Sequence, residues 1–133
     1  MPAVFSHGGD VLTASEDCTA KLWNAVTGHL LQTFTGHTDN VLSAVSSKHG
    51  PWGEHGASVV TASADGTAKL WNAVTGECTM TLSGHNDWVT SASFSLDIVL
   101  TVTDNGIVRI WNLFTGDCIR TIDDGMFMSA MLA

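Results

Sequence analysis

The chain has 133 residues, of which 44% are hydrophobic and 14% are charged, and this balance excludes a disordered polypeptide. Its 13 acidic and 5 basic side chains give a formal net charge of −8 at pH 7. This charge argues against nucleic acids and anionic membranes as partners, because both are bound through clustered Lys and Arg. The basic residues are instead scattered: Lys21, Lys48, Lys69, Arg109 and Arg120.

The sequence also indicates a cellular compartment. The first residues, MPAVFSHGGD, contain neither the basic start nor the apolar stretch of a secretion signal. No apolar run approaches the roughly 18 residues that a membrane-spanning helix needs. Cys18, Cys78 and Cys118 are an odd and sparse set, which does not suggest a disulfide framework. We therefore expect an intracellular, cytoplasmic protein.

Taken in chain order, the sequence repeats one segment. Its copies, ASEDCTAKLWNAVTG, ASADGTAKLWNAVTG and VTDNGIVRIWNLFTG, end at Gly28, Gly76 and Gly116. The dipeptide Trp-Asn therefore recurs at 23, 71 and 111, with spacings of 48 and 40 residues. Gly-His recurs at 36–37 and 84–85. The longer spacing is explained by an insertion, SKHGPWGEHG at 47–56, whose Gly and Pro residues predict a loop.

The middle repeat contains four short segments rich in Val, Thr and Leu, a composition that favours strands. They are Val41–Ser46, Ala57–Ser63, Thr67–Trp71 and Cys78–Leu82. Ala64-Asp65-Gly66 is a tight-turn signal between the second and third segments. Cys18 stands where the other repeats have Gly66 and Gly106 in this turn. Helical periodicity does not persist over a window long enough to compete.

A period near 40 residues, with Gly-His near one end and Trp-Asn near the other, resembles the WD40 family of G-protein-beta-like repeats. The resemblance covers almost the whole chain. It implies an all-β fold, a partial WD40 β-propeller of about three four-stranded antiparallel blades. The WD40 repeat region is residues 1–133, with units at approximately 1–34, 35–82 and 83–122 and the start of a further blade at 123–133.

Twelve strands are expected in this arrangement. Three follow Val4–Asp10, which resembles the end of an innermost strand, four lie in each of the next two units, and one lies at Asp124–Leu132. Propellers typically close with 4–8 blades. The chain is therefore either a fragment of a larger closed propeller, which we favour, or a piece that assembles with its own copies.

In the family, a buried hydrogen-bond network joins a His, a Ser or Thr, an Asp and a Trp within one unit. The middle unit matches these positions with His37, Ser63, Asp65 and Trp71, and Thr61 is an alternative hydroxyl on the same strand face. The third unit offers His85, Thr103, Asn105 and Trp111, with Asp104 as an alternative acceptor, and is expected to form a weaker network. The first unit offers Ser15, Asp17 and Trp23, and its His would precede Met1.

These residue types also occur in hydrolase triads. A catalytic group has no reason to recur in every unit, whereas a network that holds the fold must recur, so we expect no catalytic residues and no enzyme. In the insertion, the spacing of His49, Glu54 and His55 is only a weak match to that of metal ligands, and no cysteine lies nearby. We predict no metal site and no cofactor, and the insertion remains an alternative contact for a partner.

The loops between Gly-His and the innermost strand are the best candidates for function, and in the family they lie on the top rim. They contain Asp39, Asn40, Asp87 and Trp88. Trp is common at binding hot spots, and a negative rim suits a basic peptide. We predict a scaffold that binds proteins or peptides here. The alternatives are that Trp88 packs on a neighbouring blade, that the aspartates only stabilise their turns, and that the chain is a purely structural segment of a larger repeat protein.

Overall fold

The computed structural model describes residues 3–6, 9–47, 58–95 and 97–123. Within these ranges the chain forms twelve strands in three four-stranded sheets, here called blades 1, 2 and 3. Blade 1 contains β1 (Ala3–Phe5), β2 (Val11–Ala14), β3 (Thr19–Trp23) and β4 (Leu30–Thr35). Blade 2 contains β5 (Val41–Ser47), β6 (Ser58–Ser63), β7 (Ala68–Asn72) and β8 (Cys78–Leu82). Blade 3 contains β9 (Val89–Ser95), β10 (Ile98–Thr103), β11 (Ile107–Asn112) and β12 (Cys118–Asp123).

Each blade is an antiparallel meander in which every strand pairs with the next one along the chain. The predicted all-β fold of about three four-stranded blades is confirmed. The first blade is complete because Ala3–Phe5 forms β1, whereas the sequence analysis counted only three strands there. The predicted strand at Asp124–Leu132 lies outside the described residues, as does the inserted loop from residue 48 onwards. The described ranges contain no helix long and apolar enough to cross a membrane.

Blades 1 and 2 pack face to face through apolar side chains that alternate along their strands. Blade 1 contributes Leu12, Ala14, Ala20 and Phe34, and blade 2 contributes Val41, Ala44, Val59 and Trp71. Phe34 and Trp71 meet with ring centroids 5.6 Å apart. Burial of a large apolar side chain contributes about 1.5–3 kcal/mol, so a handful of such residues dominates the stability of the joint.

The joint between blades 2 and 3 uses the same positions of the repeat. Blade 2 contributes Val60, Ala62, Ala68 and Leu82, and blade 3 contributes Val89, Ala92, Val99 and Trp111. Every one of these eight residues is the repeat equivalent of a residue in the first joint. The stacking geometry is therefore a property of the repeat, as in other arrays whose units contact only their neighbours.

The turns between the second and third strands of each blade depend on a left-handed residue. Gly66 and Gly106 occupy it with φ of 86° and 88°, and Cys18 occupies the equivalent position in blade 1 with φ of 74°. A Cβ atom in this region lies too close to the backbone, whereas glycine has none. Blade 1 therefore stores backbone strain that blades 2 and 3 avoid.

Replacing Cys18 by glycine should release this strain. We expect Cys18→Gly to stabilise the chain by about 0.5–1 kcal/mol, because the left-handed penalty exceeds the entropy that glycine adds to the unfolded state. Thermal or urea unfolding of the variant measures the change. The reciprocal variant Gly66→Cys should destabilise the chain through the same strain, since its Cβ meets the Asp87 and His85 carbonyl oxygens only at 3.6 Å, an ordinary van der Waals distance. An unchanged midpoint for Cys18→Gly would contradict the explanation.

Candidate functional site

A buried chain of hydrogen bonds crosses blade 2 from the top rim to the joint with blade 1. The Trp71 indole N–H donates to Thr61 Oγ1 over 2.9 Å, and Thr61 Oγ1 lies 2.6 Å from His37 Nε2. His37 Nδ1 lies 2.8 Å from Asp65 Oδ2. A neutral imidazole with its proton on Nδ1 satisfies every member, because the Thr61 hydroxyl then donates to Nε2 and Nδ1–H donates to the carboxylate.

Thr61, rather than Ser63, supplies the hydroxyl of this chain. Trp71 pairs across the sheet with Val59, so its indole lies closer to Thr61 than to Ser63 along β6. Ser63 Oγ instead donates to the Asn40 carbonyl over 2.9 Å and accepts from the Asp65 backbone N–H over 3.1 Å. Ser63 thus connects the top-rim loop to the β6–β7 turn, and the family-based assignment of its role is corrected.

The protonation states in blade 2 favour stability over reactivity. Burial lowers the pKa of His37 even though Asp65 opposes the shift, so the imidazole is neutral. Burial would raise the pKa of Asp65, but hydrogen bonds from Thr67, His37 and the Thr38 backbone lower it to about 2. The Thr61 hydroxyl, the possible nucleophile of this group, has no exposed surface. The arrangement is therefore suited to stabilising the fold of blade 2.

The equivalent chain of hydrogen bonds in blade 3 is incomplete. Trp111 Nε1–H donates to Thr101 Oγ1 over 2.9 Å, and His85 Nε2 lies 2.9 Å from the same oxygen. Thr103, assigned to this role from the sequence, instead donates to Asn105 Oδ1 over 2.6 Å. His85 Nδ1 is buried without a hydrogen-bond partner among the described residues. Asn105 therefore does not replace Asp65.

Asp104, the alternative acceptor in blade 3, is exposed, and its backbone N–H donates to the Trp88 carbonyl. In blade 1 the Trp23 indole N–H donates to Thr13 Oγ1 over 3.0 Å, so Ser15 does not hold the hydroxyl position there either. Ser15 Oγ accepts from the Asp17 backbone N–H over 3.2 Å. In every blade the hydroxyl partner lies two residues before the Ser or Thr that the sequence analysis assigned.

The two candidate binding loops share one geometry. Asp39 Oδ1 accepts from the Asn40 backbone N–H over 2.7 Å, and Asp87 Oδ1 accepts from the Trp88 N–H over 2.8 Å. Each loop is also tied to the neighbouring turn of its own blade, since the Asn40 and Trp88 carbonyls each accept a backbone N–H at 2.9 Å. Both aspartates thus stabilise their turns. Trp88 nevertheless keeps 52% of its surface exposed.

An open pocket of about 330 Å³ lies on the top rim where blades 2 and 3 meet. Blade 2 lines it with the β6–β7 turn, and blade 3 lines it with the loop before β9. The lining residues are Ala64, Asp65, Gly66, His85, Asn86, Asp87 and Trp88. Two aspartates and a tryptophan are among these residues, and no Lys or Arg is. The sequence analysis identified Asp87 and Trp88 but missed the opposite wall, because that wall belongs to another blade.

Potential metal ligands do not cluster, and the cysteines are free thiols, in the part of the chain that the structure describes. Those residues contain no group of three or more potential ligands. His49, Glu54 and His55 lie outside the described residues. Cys78 and Cys118 begin the outer strands β8 and β12, and both are exposed free thiols.

The chain of hydrogen bonds in blade 2 predicts a large loss of stability when the hydroxyl oxygen of Thr61 is removed. Thr61→Val should destabilise the protein by about 2–4 kcal/mol, because two buried nitrogens lose their partner at about 1–3 kcal/mol each. Urea unfolding measures this change in the free energy of unfolding. The matched control is Thr13→Val, which removes the equivalent but half-buried oxygen of blade 1, with an expected loss below about 1 kcal/mol. Equal losses for the two variants would refute the special role of Thr61.

His85 predicts a pH dependence of stability. Burial and the nearby Arg109 charge lower the pKa of His85 to about 4, below the ordinary 6.5. The unfolded state therefore binds a proton more readily than the folded state, so stability falls as the pH decreases from about 6.5 to about 4. Unfolding midpoints measured across this range should fall more steeply for the wild type than for His85→Gln. Parallel curves would show that another group is responsible.

Comparison with known proteins agrees with this geometry. The family model described as WD domain, G-beta repeat matches residues 3–24, 28–72 and 76–112. The WD40 beta propeller domain of Doa1 has a TM-score of 0.72 at 31% identity, covering 90% of this chain and 38% of that one. The computationally designed Ika8 protein has a TM-score of 0.74 at 30% identity, covering 91% of this chain and 35% of that one. The chain thus spans less than two fifths of either structure, and it belongs to the WD40-repeat β-propeller family.

Proposed function

We propose that this chain is a non-enzymatic scaffold that binds a partner protein or peptide at the top-rim pocket between blades 2 and 3. WD40 propellers generally mediate protein–protein interaction. The observation that carries the proposal is the half-exposed Trp88 beside an open pocket, held by a hydrogen-bonded turn. A rigid aromatic side chain supplies contact area at low entropic cost, which is a common property of binding hot spots.

The chemistry of the pocket favours a basic partner. Asp87 lies beside Trp88, and no basic side chain lines the pocket. A Lys or Arg entering it would meet a carboxylate together with an aromatic face, and both attract cations. Asp39, with Asn40, adds negative charge at the equivalent loop of blade 2. The net charge of −8 extends this attraction beyond the pocket and accelerates association.

The unbound rim is already organised for binding. Backbone hydrogen bonds connect the Asn40 and Trp88 carbonyls to the following turns of their blades. A loop fixed in this way loses little entropy when a partner binds, which increases affinity. The exposure of Trp88 favours a binding site over a purely structural segment, because about half of its surface remains free to contact a partner. The free cysteines fit the proposed intracellular location.

Selection of a random peptide library on the immobilised chain tests the proposal. We expect selected peptides to be enriched in Lys and Arg, and Trp88→Ala to weaken their binding by about 2 kcal/mol. Asp87→Asn combined with Asp39→Asn should mainly slow association and reduce its salt dependence. The measurement is binding kinetics at several salt concentrations, with far-UV circular dichroism to verify that each variant is folded.

Val74→Ala is the matched control. Val74 is an exposed apolar residue in the β7–β8 turn, outside the pocket, with 68% of its surface accessible. Its substitution should leave peptide affinity unchanged. If Trp88→Ala and the double aspartate variant also left affinity unchanged, the binding site would lie elsewhere. Loss of binding on deleting 49–55 would then assign it to the inserted loop.

A further inference from the structure

Blade 3 contains a basic side chain that the described residues leave unpaired. Arg109 lies on β11 at the repeat position that Lys21 occupies in blade 1 and Lys69 in blade 2. Lys21 Nζ lies 3.5 Å from Asp17 Oδ2, and Lys69 Nζ donates to Thr81 Oγ1 over 3.0 Å. Within the described ranges Arg109 has no salt-bridge partner, and its buried Nε–H has no hydrogen-bond partner. A buried charged donor without an acceptor is unfavourable, so this guanidinium is suited to an acidic ligand.

The Arg109 side chain lies in the joint between blades 2 and 3, both of which the structure describes. It shares a strand face with Trp111, which packs in this joint. Its Nη1 atom is 3.2 Å from the position that a Cβ atom would take on Gly84. Gly84 is exposed and directly precedes His85, whose pKa the charge of Arg109 helps to lower. The cation is therefore beside the start of the loop that lines the top-rim pocket.

His85 supplies a second donor in the same joint. Thr101 is fully buried and accepts the Trp111 indole N–H, so its own hydroxyl proton needs an acceptor. His85 Nε2, at 2.9 Å, is the acceptor that the described residues provide. The imidazole therefore carries its proton on Nδ1, and this buried N–H has no hydrogen-bond partner in the described ranges. The Gly66 backbone counteracts the lowering of the His85 pKa but forms no hydrogen bond of ordinary geometry with Nδ1.

Blade 2 shows which group would satisfy these donors. There the Asp65 carboxylate lies 2.8 Å from His37 Nδ1 and accepts from the Thr38 backbone N–H over 3.1 Å. Blade 3 has Asn105 at this position of the repeat, and its amide oxygen accepts from Thr103 instead. Blade 3 thus keeps the imidazole and a neighbouring cation, whereas the carboxylate that pairs with them in blade 2 is replaced by a neutral amide.

We propose that Arg109 and His85 bind a carboxylate group in the joint between blades 2 and 3. A carboxylate matches the planar donors of a guanidinium and can also accept from His85 Nδ1–H. Both residues are half-exposed, and the exposed Gly84 between them has no side chain to block the approach. A free small anion or an acidic side chain of a bound partner can supply the group. The inference thus goes beyond the recognition of a basic residue proposed above.

Thermal unfolding in sodium acetate, with sodium chloride at equal ionic strength as the reference, tests the site with a small carboxylate. Acetate, but not chloride, should raise the unfolding midpoint of the wild type in a saturable manner, because a ligand of the folded state stabilises it. Arg109→Gln should lose this response. Lys21→Gln removes the equivalent cation of blade 1 and is the matched control, which should keep it. Equal responses to acetate and chloride, or an Arg109→Gln variant that responds as the wild type does, would overturn the proposal.

Nuclear magnetic resonance of the wild type keeps the test decisive if Arg109→Gln does not fold. Titration with acetate should shift the backbone amide resonances of Gly84 and His85 until the site is saturated. The equivalent residues of blade 2, Gly36 and His37, provide the internal control and should not respond, because Asp65 already pairs with that imidazole. Shifts of the same size in both blades would show non-specific binding and contradict the site.

Asn105→Asp tests the part of the site that depends on His85. The variant places a carboxylate at the position that Asp65 holds in blade 2, so His85 gains an acceptor within the chain. We expect its unfolding midpoint to respond less to acetate than that of the wild type. An undiminished response would contradict the role of His85.

Paired peptides distinguish the two sources of the carboxylate, and this comparison alone rests on the proposed peptide-binding function. A Lys-containing peptide selected at the top rim is compared in two versions, with Glu or Gln beside the Lys. About tenfold tighter binding of the Glu version to the wild type, but not to Arg109→Gln, would assign the carboxylate to the partner. Equal binding of both versions would assign the acetate response to a free anion. Trp88→Ala should weaken the peptides and leave the acetate response unchanged, so the two proposals can fail separately.

Discussion

The burial of one indole side chain at each joint determines most of this structure. Trp71 must pack against Phe34 to close the joint between blades 1 and 2, and only 1% of its surface remains exposed. An indole N–H buried in this way needs an acceptor. Thr61 provides it, and its own hydroxyl then needs the nitrogen of His37, which in turn needs Asp65. A packing requirement at the joint thus creates a polar chain that reaches the top rim.

The same requirement explains why the rim differs between blades. In blade 3 the chain from Trp111 stops at His85, since Asn105 bonds to Thr103 instead. His85 is also one of the residues that line the pocket between blades 2 and 3. Where blade 2 uses a carboxylate to satisfy its imidazole, the described residues of blade 3 provide no hydrogen-bond partner for the buried Nδ1 of His85. The candidate binding site therefore lies beside the incomplete network of blade 3.

The sequence predicted the elements of the fold better than the contacts between them. The repeated segments located the strands of blade 2 to within about one residue, and the aligned glycines identified the strained position of Cys18. Because side chains alternate between the two faces of a strand, the sequence indicated that Thr61 and Ser63 share a face. Only the pairing register between β6 and β7 places Thr61 beside Trp71. The pocket could not be predicted for a similar reason: the loop with Trp88 is recognisable in the sequence, but the turn at Gly66 joins it only through the stacking of two blades.

Burial along the second strand differs between the middle blade and the two outer blades. Every residue of β6 is buried, whereas β2 and β10 alternate between buried and half-exposed positions. In a sheet with one solvated face, alternation normally comes from polar residues on that face. The half-exposed positions of β10 are Ile98, Leu100 and Val102, all aliphatic, so its alternation does not come from polar residues, and the described residues place no further sheet on this face. A strand of this composition is typical of a sheet covered on both faces.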